Sequence, residues 1–144
     1  MGKYRAMDIA KYVISKCTED KKPITNLQLQ KILFFIQRDY LKENSCPLFS
    51  DDVEAWQFGP VVADVYYAFC GMGSMKILGE YTPSTSIEKN DRCFIDKIVE
   101  AKREKYPWDL VRESHKKDGA WDTIFQNGEG NHCIIPIKLI AERG

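Results

Sequence analysis

The side chains best suited to covalent chemistry are five cysteines, Cys17, Cys46, Cys70, Cys93 and Cys133, and two histidines, His115 and His132. A cysteine hydrolase would pair one thiol with one imidazole, and Cys70, Cys93 or Cys133 with His115 or His132 are the combinations to weigh. None stands at a recognisable family spacing, and buried, unreactive thiols are the expectation. Successive cysteines lie 23 to 40 residues apart without a CxxC, and no HExxH surrounds either histidine, so no metal site is expected. Their odd number and wide spread read as reduced thiols in a cytosol. Asp51, Asp52 and Glu54 crowd one short segment, but a carboxylate site needs two groups with opposed protonation, and a solvated cap is the simpler reading. No GxGxxG or GxxxxGK[ST] pattern supports phosphate binding at the Gly59-Pro60 corner, and no cofactor is expected. These residue types point away from an enzyme and towards a binding protein.

What remains is the aromatic and proline group Trp56, Phe58 and Pro60. Each large ring removes on the order of 150–250 Å² from water when buried, so such residues build cores and interfaces alike. Only the part of the group left exposed can serve as a protein-binding hot spot. Gly59 supplies backbone freedom for a tight turn, or room for a partner's backbone.

Several elements must position that corner. Ala6, Ile9, Ala10, Val13, Ile14 and Cys17 follow helical spacing and predict a first helix. Thr25 and Gln28 form a capping box, with Ile24 and Leu29 as a staple, and predict a second helix from about Asn26 to about Lys42. Leu29, Ile32, Leu33, Ile36, Tyr40 and Leu41 line one face of it, Phe34 and Phe35 widen that face, and the helix is expected to be central. Gln28, Gln30, Gln37 and Arg38 are expected on its solvated side. Val53–Phe58 predicts a short strand or an extended loop, stopped by Gly59, with Pro60 in the first turn of a helix carrying Val62, Val65, Tyr66 and Phe69. A Ser/Thr/Pro-rich loop follows at residues 82–90, then a helix capped by Asp91, another from Pro107 to about His115, a loop-rich stretch at 119–130, and a final helix opened by Pro136. The expected fold is mainly α, a single compact helical domain over residues 1–144 with a short β segment near 53–58.

Composition fits that picture. The 144 residues are 44% apolar and 29% charged, enough for one core and a solvated surface. Twenty-one basic and 21 acidic residues cancel, so no global field draws the chain to nucleic acid or an anionic membrane. Lys102-Arg103-Glu104-Lys105 reads as the solvated end of a helix, where cations complement the dipole. The amino terminus lacks a signal-peptide pattern, no segment is apolar enough to span a membrane, and a cytoplasmic location is expected.

Thr25-Asn26-Leu27, Leu29-Gln30-Lys31, Trp56 and Gly59-Pro60-Val61-Val62, in that order, resemble the Panacea domain, an antitoxin module also met as a phage-associated protein family. The likeness covers most of the chain, extending to Val65-Tyr66 and, more loosely, to Ser114-His115 with Ala120-Trp121, between which Lys116-Lys117-Asp118-Gly119 intervenes. It implies a mainly helical antitoxin that neutralises a co-encoded toxin protein by direct binding, without chemistry. Many relatives carry an added DNA-binding module; this chain leaves no length for one, and direct operator binding is not expected. Together with the aromatic group, the resemblance nominates Trp56, Phe58, Gly59, Pro60, Tyr66, Tyr67, His115 and Trp121 as partner-binding residues. The alternative is a proteolytic adaptor or phage regulatory protein that recruits a host protein such as a protease, with a small cysteine hydrolase third.

Overall fold

A computed structural model describes residues 2–144 and places seven α-helices and five short strands among them. The order is α1 (Ala6–Glu19), β1 (Ile24–Thr25), α2 (Asn26–Asn44), β2 (Glu54–Trp56), β3 (Gly59–Val61), α3 (Ala63–Phe69), β4 (Lys76–Ile77), α4 (Lys89–Lys102), α5 (Pro107–Ser114), α6 (Ala120–Phe125), β5 (Cys133–Ile134) and α7 (Ile137–Arg143). The fold is mainly α, as the sequence predicts. β1 pairs antiparallel with β4, and β2 is the middle strand of an antiparallel sheet in the order β3-β2-β5.

The expected stripe of α1 is buried along its whole length, from Ala6 to Cys17. Its first turn has no cap from its own neighbours; instead the Ala6 N–H donates to the Asp51 carboxylate at 2.8 Å, 45 residues away. Asp51 therefore satisfies a helix terminus. In α2 the Thr25 and Gln28 capping box is complete, and the helix runs two residues past the predicted end, stopping where Ser45 turns left-handed at φ +58°.

Helix α2 is the axis of the molecule. It packs against α1, α3, α4, α5, α7 and the β2–β3 hairpin. Every residue from Gln28 to Gln37 is buried, which corrects the expected solvated side. Gln37 accepts the Leu48 and Phe49 N–H groups at 2.9 and 3.2 Å and donates to the Phe49 carbonyl at 2.9 Å. Gln30 accepts the Val62 N–H at 2.9 Å and donates to the Asn26 side chain, whose own amide donates to the Tyr66 carbonyl. Amide side chains are buried here because they hydrogen-bond the backbone of segments that cannot pair with one another.

Three further expectations need correction. Gly59 and Pro60 do not begin a helix: they form β3 with Val61, and α3 starts only at Ala63. Asp91 does not cap α4, which begins at Lys89; it is buried in the first turn, accepting from the Tyr4 hydroxyl at 2.7 Å and pairing with Lys3. The loop before α4 is fastened to α1, with Ser84 donating twice to Asp8 and Tyr81 donating to the Ser15 hydroxyl. The stretch expected to be loop-rich contains α6. The basic run closing α4 is paired, Lys102 with Glu113, Arg103 with Asp20 at 2.7 Å, and Glu104 with Lys22. Among the described residues no helix is long and apolar enough to cross a membrane.

Candidate binding groove

The β2–β3 hairpin shapes the most distinctive surface. Trp56 faces Gly59 across the ladder, leaving Gln57 and Phe58 at the turn. Gly59 follows with φ +111°, and a Cβ there would sit 2.6 Å from Ser114 Oγ and 2.7 Å from Lys31 Cε, so only glycine lets the hairpin lie this close to α2 and α5. On the other side of β2, the His132 N–H donates to the Ala55 carbonyl at 2.7 Å. The His132 ring then stacks on Trp56 with centroids 4.3 Å apart, while Tyr66 of α3 meets Trp56 edge-on at 4.9 Å. Phe58 meets Trp108 of α5 edge-on at 5.3 Å. These rings surround a groove of about 530 Å³ whose floor is the start of α2, with Asn26, Gln30 and Lys31.

Beneath the hairpin lies a second group of side chains. Lys31 is wholly buried and donates to the Pro60 carbonyl at 3.2 Å. Burial lowers its pKa from 10.5 to about 7. The His115 ring stacks face to face on Trp121 at 3.6 Å, and the Trp121 indole N–H donates to the Trp56 carbonyl at 2.7 Å. His115 Nε2 is buried with no hydrogen-bond partner. Burial, and then the nearby charge of Lys31, pull its pKa down against the opposite pull of Asp122. Ser114 Oγ donates to the Val111 carbonyl, so it is engaged within its own helix.

Residues 29–122 match the family model described as antitoxin SocA-like, Panacea domain. The chain belongs to this SocA-like Panacea family. It is 29% identical over 150 residues to antitoxin SocA of Caulobacter vibrioides (strain NA1000 / CB15N), an alignment covering 93% of this chain and 77% of that relative. No solved structure matches significantly. The span matched to the Panacea model contains Lys31, the hairpin, Trp108 and Trp121, whereas Asn26 and His132 fall outside it.

Of the residues nominated from the sequence, this Panacea fold gathers Trp56, Phe58 and Tyr66 on the groove. Tyr67 is exposed beside them, its ring 5.9 Å from Trp56. Gly59, Pro60 and Trp121 are buried, and half-buried His115 is stacked on Trp121. Gly59 and Pro60 form the hairpin's inner strand, and Trp121, with His115 stacked on it, supports the hairpin from behind. Lys31, Trp108 and His132 are among the groove residues that fall outside the nominated set. Lys31 leaves a readable trace, since Leu27, Phe34 and Phe35 sit at i−4, i+3 and i+4 and place it in the middle of an apolar face. Nothing local marks Trp108 or His132, which reach the groove only through tertiary folding.

The thiols depart from expectation: Cys46, Cys70, Cys93 and Cys133 are exposed, and only Cys17 is buried. Burial pushes the Cys17 thiol pKa up, against the opposing pull of the Arg103 guanidinium. Cys70 and His132 both border the groove, but the Cys70 thiol donates to the Tyr67 carbonyl and the His132 ring lies flat on Trp56. Among the described residues no cluster of three or more His, Cys, Asp or Glu side chains is placed to share a metal ion.

Proposed function

We propose that this chain neutralises a toxin protein by binding it directly, in the cytoplasm and without chemistry, and that the aromatic groove is the surface that holds the toxin. The observation carrying the reading is a set of large rings left in water around one depression: Phe58 is 48% exposed, Trp108 54% and Tyr67 59%. Exposed aromatics grouped at a groove mark sites where a partner completes the burial, because each ring gains apolar contact at small cost in side-chain entropy. Membership of an antitoxin family supports a toxin as that partner.

The test is co-expression with the product of the neighbouring gene, scoring growth rescue and co-purification. Phe58→Ala and Trp108→Ala should each weaken the complex by about 2 kcal/mol, roughly 30-fold, as truncated hot-spot aromatics do. Both rings are half-exposed, so the fold should persist. Rescue and affinity unchanged by the double substitution would reject the groove as the toxin surface. Rescue that needs an intact host protease would point to the adaptor route.

A further inference from the structure

A second depression, of about 380 Å³, opens beside the aromatic groove, and both border the first turns of α2 and α5. Leu27 and Trp108 face the groove, whereas Gln28, Tyr106 and Pro107 face the neighbouring pocket. Lys21, Lys22, Lys76, Arg103 and Lys105 line that pocket, with Glu104 the carboxylate among them. Separate segments bring these cations together. Lys21 and Lys22 form the turn after α1, Lys76 lies opposite Thr25 in the β1–β4 pair, and Arg103 and Lys105 follow α4.

The lysines here are open to water. The Lys22 and Lys105 side chains are 54% and 49% exposed, and Lys21 and Lys76 are exposed as well. Glu104 pairs with Lys22, Glu113 with Lys105 at 3.4 Å, and Asp20 with Arg103 at 2.7 Å. Lys21 and Lys76 therefore keep no carboxylate partner among the described residues. Cations just after α1 and α4 complement the dipoles of those helices, but that account does not cover Lys76, which sits on a strand. Nor does it explain a lysine at position 21. Lys21 closes α1 at φ +59°, with its N–H donating to the Thr18 carbonyl at 3.1 Å and the Lys22 N–H donating to the Cys17 carbonyl at 2.8 Å. These are the two hydrogen bonds of a Schellman cap, whose left-handed position favours glycine. The charge at Lys21 is thus held at a local cost in backbone strain.

We propose that this pocket receives an acidic segment of the same partner protein that fills the groove, aspartate or glutamate side chains pairing with Lys21 and Lys76 while adjoining apolar side chains pack around Trp108. The inference rests on the groove as the partner-binding surface, because the two depressions are continuous along the starts of α2 and α5. Glu104 in the lining, with Asp20 and Glu113 behind it, makes a mixed rim. Such a rim suits individually placed carboxylates and opposes the unbroken line of phosphates that a nucleic acid would bring. Exposed ion pairs add modest affinity, and their larger effect is to steer the encounter.

The probes are blocked hexaglutamate and hexaglutamine peptides, titrated into the full chain by NMR. In about 20 mM salt hexaglutamate should bind about tenfold tighter, with shifts centred on Lys21, Lys22, Lys76 and Tyr106, and the preference should fade in about 0.5 M salt. Both readouts use the unmodified protein and need no variant to fold. Lys21→Gly combined with Lys76→Thr should remove most of the preference. Glycine relieves the strain at position 21 and Lys76 has no partner to lose, so the urea midpoint should not fall. Equal binding of the two peptides, shifts centred elsewhere, a preference that survives the double substitution, or tighter binding of a charge-matched oligothymidylate than of hexaglutamate overturns the proposal. The complex with the neighbouring gene's product separates the two surfaces. Weakening by Trp108→Ala with no response, in rate or affinity, to the lysine substitutions removes the acidic contact and leaves the groove standing. Association slowed about tenfold by the lysine substitutions at low salt, with indifference to Phe58→Ala and Trp108→Ala, keeps the acidic contact and rejects the groove.

Discussion

Replacing Lys31 by Met should stabilise the protein, and the gain should depend on pH in a defined direction. Unfolded, Lys31 has its ordinary pKa of 10.5; folded, burial lowers it to about 7. Between those values the unfolded chain holds a proton that the folded chain has shed, so stability rises with pH across that window. Below about pH 7 the full penalty applies, on the order of 5 kcal/mol from about 1.36 kcal/mol per pKa unit. At pH 7 it is about 4 kcal/mol, and near pH 10 less than about 1 kcal/mol. Met has similar length and no charge, but it leaves the Pro60 carbonyl without its donor, a loss of about 1 kcal/mol. The variant should therefore be more stable by about 3 kcal/mol at pH 7 and nearly equal to the parent near pH 10. Urea unfolding of both proteins, followed by circular dichroism from about pH 6 to about pH 10, measures this directly. Groups common to both chains cancel in the difference. A variant that is less stable at pH 7, or a difference that does not change with pH, would refute the reasoning, because Lys31 would then be charged in the fold and adequately solvated.

Two more changes test the packing beneath the groove. Gly59→Ala meets left-handed backbone strain at φ +111° together with overlap on Ser114 Oγ and Lys31 Cε, both buried, and should cost about 2–4 kcal/mol in urea unfolding. Gln37→Ala strands the Leu48 and Phe49 N–H groups and the Phe49 carbonyl, and should lower stability by about 3 kcal/mol, with faster amide exchange at residues 48 and 49.

Wherever the signal was local, it could be read from the sequence. The α1 stripe, the Thr25 and Gln28 box, the extended segment at Glu54–Trp56 and the helix after Pro136 each depend on neighbours within about four residues, the range over which helical faces and caps form. Spacing alone also showed that no CxxC or HExxH is present. Gln30 and Gln37 looked like surface residues because their partners, the amides of Val62, Leu48 and Phe49, come from other segments. Pro60 suits a helix start as well as a strand, and pairing of Trp56 with Gly59 chose the strand.

The residue types were on the page, namely a lysine amid apolar neighbours, several aromatics and a glycine before a proline. Tertiary packing decided which rings lie under the hairpin and which remain in water. It brought Trp108 and His132 from 50 and more residues away to the side of Phe58 and Trp56. It also enclosed Lys31 without an anion. Periodicity can say which face of a helix is apolar, but exposure and charge compensation depend on what other segments lay against that face, and those contacts leave no local pattern.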